Sequence, residues 1–586
     1  MAIGKSVSRA TAAVYGLVAC LGLCGLVAPS VFGQQSGGAP APAPAAKGGI
    51  DCMSCHVAAM TDHTPAVNAE ALKSSPHKDS ACQDCHFAIT AVPHTPAMLK
   101  AKANCATCHT DEAAAYATSV HSRPDKVAGD HPTCITCHGK GDPHAVTFAR
   151  KWGRADKAAL CSTCHADKAK MGRYGVDPDA VSSYHESFHG KALLRFHMGK
   201  AATCTDCHRA HDVLAPSDPH SPTNRLHAAA TCGQAGCHPG AMVNFAMSGA
   251  NHLRLKVKES IVLRLEEAFF KWLTLGTIVF LLAGVALDLR RKVLAKGAQP
   301  RSGRAVGLLV STSFFVLVAS LAMAYVGARH SGAVAGVAIA IMAIAFIVHF
   351  ATRKRLTADP NERTYKRIST EQRIQHICLA ISFTLLVLSG MPLRYPNIPL
   401  LHSLYVGIGG IGVWRIVHRV AACVMIFTWI WHTIFLLRMG AKTGFKLSGW
   451  TMLPNLRDVK DFVAVSKYYL GLTNTEPRYD RFQFREKFDY FAVYWGMPIM
   501  VFSGLVLWFP MQLANRLPEI GLSVAYIAHS DEAVLAFLAI VTWHLYNVHF
   551  NPDAFPMSAT WLTGEKTRSE MEREHPLELK RLDGEE

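Results

Sequence analysis

Seven copies of a Cys-x-x-Cys-His-type motif, seven apolar windows beyond Ile261, and histidines placed inside the last group of four windows predict a mainly α chain. The expected fold class is a loop-rich multihaem cytochrome c domain followed by seven transmembrane helices, with the last four forming a bundle around two further haems. A length of 586 residues exceeds what one hydrophobic core organises, so several units are expected. Half the residues are apolar and mean hydropathy is positive, yet the chain holds 18 cysteines and 30 histidines.

The N-terminus reads as a secretory signal: Lys5 and Arg9, an apolar run from Ala10 to Val27, then Val31-Phe-Gly33 for cleavage. Leu17-Val-Ala-Cys20 also resembles a lipoprotein box, but cutting there would leave the apolar stretch Leu21 to Val27 unexplained. An Ala/Pro/Gly tract from Gly37 to Gly49 follows as a flexible linker. The predicted organisation is a signal peptide over 1–33, a linker over 34–50, a periplasmic heptahaem domain over 51–258, three transmembrane helices over 259–372, and a four-helix di-haem domain with a cytoplasmic tail over 373–586.

The motifs lie at Cys52/Cys55/His56, Cys82/Cys85/His86, Cys105/Cys108/His109, Cys134/Cys137/His138, Cys161/Cys164/His165 and Cys204/Cys207/His208, with a seventh stretched to Cys232/Cys237/His238. Two thiols at this spacing reach the two haem vinyl groups, and the next residue swings its imidazole beneath the iron. Structural zinc or disulfides would not require a histidine directly after the second cysteine every time. All fourteen cysteines between residues 34 and 258 are consumed by the motifs, so the expected core is porphyrin wrapped by short helices and loops.

Seven irons need seven distal ligands, and thirteen histidines between Cys52 and His252 lie outside the motifs. A repeat narrows them. Ser-x-His precedes three motifs, at His77, His121 and His189, and a histidine follows each of those motifs, at His94, His144 and His211. His252, beyond the last motif in Ser248-Gly-Ala-Asn-His, completes the seven, with His63 in reserve; His131, His185, His197, His220 and His227 fit no repeat. Ligation by two imidazoles closes the iron to substrate and leaves electron transfer as its function, whereas an open iron would favour reduction of a small molecule. The motif at Cys105–His109 has the fewest close histidine neighbours and is the first place to look for an open iron.

The stretches Ser187-Phe-His-Gly-Lys, Cys204-Thr-Asp-Cys-His-Arg-Ala-His211 and Ser221-Pro-Thr-Asn-Arg resemble the multihaem cytochromes c of bacterial respiratory chains, over about 200 residues.

Apolar windows long enough to span a bilayer occur at about 264–287, 305–327, 332–350, 374–395, 412–437, 488–510 and 523–549. The segments 288–304, 351–373 and 438–487 carry six, seven and ten Lys/Arg, against about one in each intervening turn. The basic loops therefore face the cytoplasm, which puts Cys52 to His252 outside, in the periplasm, in agreement with the signal peptide. Net charge is +17, but residues 34–258 carry only 23 Lys/Arg against 18 Asp/Glu, so most of the excess is loop charge. Haem propionates would add further negative charge, and no nucleic-acid partner is expected.

Ionisable groups inside a membrane span mark function. His418 and His432 lie fourteen residues apart on one face of the fifth helix, about 21 Å of rise, and His529 and His544 fifteen apart on the seventh, about 22 Å. His376 opens the fourth helix. This is the geometry for two haems stacked across a bilayer in a four-helix bundle. His418 pairs with His529 at the outer level; at the inner level His544 pairs with His376, or with His432 as the alternative. Gly390 and Gly504 would let a porphyrin approach the backbone, and His349, Cys378 and Cys423 read as core residues.

This half resembles the four-helix di-haem cytochrome b subunits of membrane formate dehydrogenases and nickel-iron hydrogenases, through His376, His418-Arg419 and the pair His529/His544. Trp543-His-Leu-Tyr-Asn-Val-His549, followed by Asn551-Pro-Asp-Ala-Phe-Pro, resembles the fused membrane cytochromes b of metal-respiring bacteria. The resemblance implies a di-haem cytochrome b bundle and exchange of electrons with menaquinol or ubiquinol, at a quinone site near the inner haem, where Tyr546, Asn547 and His549 are the candidates. Asp531 and Glu532 are candidates for moving protons at an outer site, or for capping the helix.

The expected function is transfer from quinol through two b haems to seven c haems, and on to periplasmic cytochromes or other redox proteins. The c haem nearest the membrane is expected to be the last attached, at His238 with His252. The alternatives are reduction of quinone from a periplasmic donor, a terminal reductase with one open haem, and an electron-transfer subunit of a larger complex.

Overall fold

The computed structural model describes residues 51–56, 66–123, 129–139, 142–147, 151–294, 304–325, 331–352, 362–444, 452–555 and 557–584. The signal peptide, the linker, Cys20 and the reserve ligand His63 lie outside the described residues. Among the described residues one unit runs to Ser260 and takes in Phe509–Ser523; the other comprises Ile261–Trp508 and the chain from Val524 onward.

The first unit is made of short helices joined by loops, and the motifs themselves form single turns, as at Cys82–Cys85, Cys134–His138 and Cys204–His208. A polar side chain opens several of these turns; Thr133 and Thr203 precede two of them in capping arrangements with Thr136 and Asp206. The connection Phe509–Ser523 is bonded into this unit: Asn244 donates to the Leu517 carbonyl at 2.9 Å, Asn515 to the Gly240 carbonyl at 3.0 Å, and Arg225 pairs with Glu519.

The second unit contains seven helices long and apolar enough to cross a membrane. They are α1 (Ile261–Leu294), α2 (Arg304–Tyr325), α3 (Ser331–Thr352), α4 (Thr370–Arg394), α5 (Gly410–Lys442), α6 (Phe484–Trp508) and α7 (Gly521–Phe550). Each overlaps one predicted window, with ends that differ by a few residues. The last eleven residues of α7 loosen into two π-helical turns around His544 and His549, a local widening that accompanies side chains aimed at a site.

Helices α1, α2 and α7 share a core of Ile278, Leu281, Val285, Val318, Val534 and Leu538. Near the C-terminal end of α1, Asp288 is buried and satisfied, accepting from Tyr546 at 2.6 Å and Asn551 at 3.3 Å beside Lys292. A buried carboxylate needs such partners. Past α7 the chain returns to the start of α4: β2 (Glu565–Thr567) pairs antiparallel with β1 (Thr364–Lys366), in the register Tyr365 to Lys566. The tail helices Arg568–Glu574 and Pro576–Asp583 bury His575, whose imidazole is pushed down to about 3 by burial and by Arg367 and Lys566.

Candidate functional site

The histidines meet in twos. Metal–imidazole nitrogen bonds run ~2.0–2.1 Å, which puts each ring centroid about 3 Å from the metal and two facing rings on one iron about 6 Å apart. In the first unit His56 faces His94 at 6.3 Å, His77 faces His109 at 6.1 Å, and His86 faces His144 at 6.3 Å. His121 faces His165 at 6.1 Å, His138 faces His211 at 6.0 Å, His189 faces His238 at 5.9 Å, and His208 faces His252 at 6.4 Å. Every motif histidine has one partner, and the partners are the six named from the repeat together with His252.

The pairing is interlaced. Each Ser-x-His histidine passes over the motif that follows it and meets the next one: His77 goes to the third motif, His121 to the fifth and His189 to the seventh. The histidines behind the even motifs reach backwards, His94 to the first, His144 to the second and His211 to the fourth. His252 therefore stands opposite His208, not His238 as expected, and His238 is met by His189. The third motif, expected to be the poorest in neighbours, has His77.

The recurrence of serine has a local cause. Ser75 and Ser119 accept the backbone N–H of His77 and His121 at 3.0 and 3.1 Å, and Ser187 accepts that of Gly190 at 3.1 Å. Each hydroxyl starts a turn that holds the histidine at its opening, and all three serines are buried. Asp142 does the same for His144 at 2.8 Å.

Elsewhere in the unit, Nδ1 of His94 and of His252 contacts the carbonyls of Ala91 and Ala180 at 2.9 and 3.1 Å, an arrangement that leaves Nε2 for a metal. Burial pushes His189 and His252 below the usual imidazole range and His208 down to about 4, so these rings stay neutral, as ligation requires.

Successive motifs are neighbours. The Cys52 thiol touches Cys82, Cys105 touches Cys134 and Cys161 touches Cys204, while Cys85 lies near Cys108, Cys137 near Cys164 and Cys207 near Cys232. The attachment points thus form one file in sequence order.

The motif thiols differ in exposure along that file. Cys55 in the first motif and Cys237 in the stretched seventh are exposed, as are Cys85, Cys105, Cys108 and Cys134 further in. Cys55 Sγ lies 3.8 Å from the hydroxyl of Ser54, its neighbour in sequence, and Cys237 lies beside Cys232 of its own motif. A thioether forms at the porphyrin edge, so exposure is compatible with attachment through Cys55 and Cys237.

In the helical unit His418 on α5 faces His529 on α7 at 6.3 Å, and His376 on α4 faces His544 on α7 at 6.2 Å. His432 is not brought to another imidazole. Its Nδ1 is 2.7 Å from the Gln375 side-chain oxygen and its Nε2 3.0 Å from the Tyr490 hydroxyl, so both nitrogens are spent within the protein. The alternative inner pair of His432 with His544 is not formed.

Two Ser-Gly dipeptides serve the His418–His529 pair. Ser389 Oγ donates to the Leu385 carbonyl at 2.6 Å and stands 2.8 Å from His418 Nδ1; Ser503 Oγ donates to the Ile499 carbonyl at 2.5 Å and stands 3.0 Å from His529 Nδ1. With its proton committed to the helix, each hydroxyl accepts from Nδ1–H, which fixes the tautomer and turns Nε2 inward. The adjoining Gly390 and Gly504 leave the rings room: a Cβ there would lie 3.5 Å from His418 Cε1 and 3.2 Å from His529 Cε1. Asp489 on α6 plays the serine's part for His544, at 3.2 Å.

These donor sets fit haem: imidazoles in facing twos, held by outer-shell acceptors, with glycine where a flat ring needs clearance. Removing one acceptor by Ser503→Ala is expected to raise the midpoint potential of one b haem by roughly 20–60 mV, the one-electron equivalent of a net hydrogen bond of about 0.5–1.5 kcal/mol. A spectroelectrochemical titration resolving the two b haems checks this; the second b haem should not move.

The serines and Asp489 escape a reading that follows histidines alone. Their signals are the duplicated Ser-Gly on α4 and α6 and the lone aspartate within an apolar helix. Of the other candidates, Tyr546 and Asn547 are bonded to Asp288 and to the Trp543 carbonyl, and the His549 ring lies 6.1 Å from Phe550. Asp531, well inside α7 and not at its cap, is paired with Arg394 at 2.8 Å; Glu532 is buried with its Oε2 unpartnered.

Residues 367–554 match the family of prokaryotic cytochrome b561, and residues 126–170, which hold the fourth and fifth motifs, match the doubled CXXCH motif. No curated protein matches the chain. A segment similar to cytochrome b561 behind a run of covalent haem-attachment motifs fits a haem-containing membrane protein of electron transfer in which multihaem cytochrome c and cytochrome b are fused.

Proposed function

We propose that the protein is a quinol:periplasmic electron-carrier oxidoreductase of the bacterial inner membrane, taking electrons from menaquinol or ubiquinol through two b haems to seven c haems. The observation that carries this reading is the set of nine facing histidine pairs, seven beside covalent attachment motifs and two inside the bundle. Bis-imidazole haem supplies one-electron, outer-sphere transfer. The residues of this chain close each iron on both sides and space two sites along α7 by fifteen residues, about 22 Å. A terminal reductase would need a motif histidine without a facing partner. The third motif, the best candidate for that reading, has His77 at 6.1 Å.

The periplasmic placement of the c domain rests on the signal peptide and on the basic loops 288–304, 351–373 and 438–487. Tyr546, Asn547 and His549 remain the candidate quinone residues beside the inner pair, with Asp531 and Glu532 the candidates for proton transfer at the outer level.

Rapid mixing of the oxidised protein with a menaquinol analogue, following b and c bands separately, tests the reading. The b haems are expected to reduce before the c haems. Failure of quinol to reduce either, with fast reduction from a soluble donor, would instead support electron flow toward quinone.

A further inference from the structure

Three of the four imidazoles paired in the bundle have Nδ1 tied to an oxygen, on Ser389, Ser503 or Asp489. The fourth, His376, has a buried Nδ1 with no partner. What stands beside it is an indole: the Trp561 ring lies 5.8 Å away, tilted by 54°. Trp561 belongs to the short turn Thr560–Thr563, past α7 and outside the segment 367–554 that matches the cytochrome b561 family.

The tail is stitched to the start of α4. The Gly564 carbonyl accepts from the backbone N–H of Arg367 at 2.8 Å and of Ile368 at 3.1 Å, and β2 pairs with β1. Gly564 has φ +81°, and a Cβ there would meet the Ile368 oxygen at 2.7 Å and Arg373 Cδ at 3.1 Å, so only glycine lets the tail close this tightly. Beneath this closure lie two buried donors without acceptors, Arg373 Nε and Trp561 Nε1. Arg373 is three residues before His376, one turn nearer the start of α4, about 4.5 Å along the axis.

Buried donors left unpaired are costly and call for an acceptor. A guanidinium and an indole N–H together can only donate, and the positive charge favours a carboxylate. A haem between His376 and His544 brings two carboxylates on one edge. We propose that Arg373 and Trp561 form the propionate-binding end of the inner b-haem site, so that the C-terminal tail completes a site whose iron ligands lie on α4 and α7. This rests on His376 and His544 being haem ligands.

The test uses full-length purified protein carrying its own haems, read by haem content and by potentiometric titration of each b haem. Arg373→Gln and Trp561→Phe, the latter keeping a ring against His376 without the N–H, should each lower the midpoint potential of one b haem only. The expected effect is about tenfold in its reduction equilibrium, about 59 mV for one electron. Arg373→Lys should recover part of the shift, and all seven c haems should be retained. If His376→Gln removes one b haem while Arg373→Gln and Trp561→Phe leave that haem's potential and occupancy unchanged, the propionate assignment is overturned and the ligand assignment stands. If His376→Gln leaves both b haems in place, the ligand assignment itself falls.

Discussion

Substitution of His529 by glutamine is expected to remove one b haem, changing the c:b ratio from 7:2 to 7:1, and to cut reduction of the c haems by quinol. The loss should exceed the roughly 10–100-fold that follows removal of an outer-shell partner, because an axial ligand itself is gone. The remaining b haem would stand at the His376–His544 level, about 22 Å of helix from the vacated site. Pyridine haemochrome analysis gives the ratio, and stopped-flow mixing with a quinol analogue gives the rate. His418→Gln should match it, since His418 and His529 face each other at 6.3 Å. His432→Phe supplies the contrast: its imidazole is occupied by Gln375 and Tyr490, so both b haems should survive. Loss of a b haem in His432→Phe, with none lost in His376→Gln, would reverse the inner assignment.

How much of this was legible in the sequence follows from where the information lies. The seven attachment motifs are local, because thiols and the proximal imidazole must sit within one turn, and they read directly. The seven spans read well, since a bilayer demands about twenty apolar residues whatever the fold. His418 and His529 were found because an imidazole has few uses in such a helix.

The choice between His376 and His432 was not legible. Helical spacing puts His432 on the same face as His418, and what removes it from contention is Gln375 on α4 and Tyr490 on α6, neighbours supplied by tertiary packing. Ser389, Ser503 and Asp489 were missed for a related reason. A small polar residue in an apolar helix usually bonds its own backbone, and here the serines do that while also accepting from the ligand. Within the c unit the repeat named six distal histidines, and position beyond the last motif named His252, but not which iron each one meets. Haems lie between the chain segments, so a distal ligand is chosen by the stacking of neighbouring motifs and not by distance along the chain.

That point yields the second large effect. Pairing by proximity would assign His77 to the motif at Cys82–His86, which begins five residues later. The structure instead sets His77 opposite His109, in the third motif, and gives His86 to His144. His77→Gly should therefore open the iron bound through His109 and leave the other six c haems low-spin. One haem in seven should become high-spin, bind carbon monoxide on reduction, and return to low-spin when imidazole is added. Attachment should be unaffected, because Cys105, Cys108 and His109 are untouched. Ser75 already organises the backbone at residue 77, so the turn should tolerate the change. The opened haem can be placed in the chain by combining His77→Gly with Cys105→Ala/Cys108→Ala, which removes the third haem: the high-spin signal should vanish with it. A signal that persists would mean that His77 serves the second motif after all, and that the interlaced order of the file is wrong from its first crossing onward. The same logic extends to His252, whose position nine residues before α1 invites pairing with His238 but whose ring faces His208. His252→Gly should open the sixth haem, while the seventh, closed by His189 at 5.9 Å, stays low-spin.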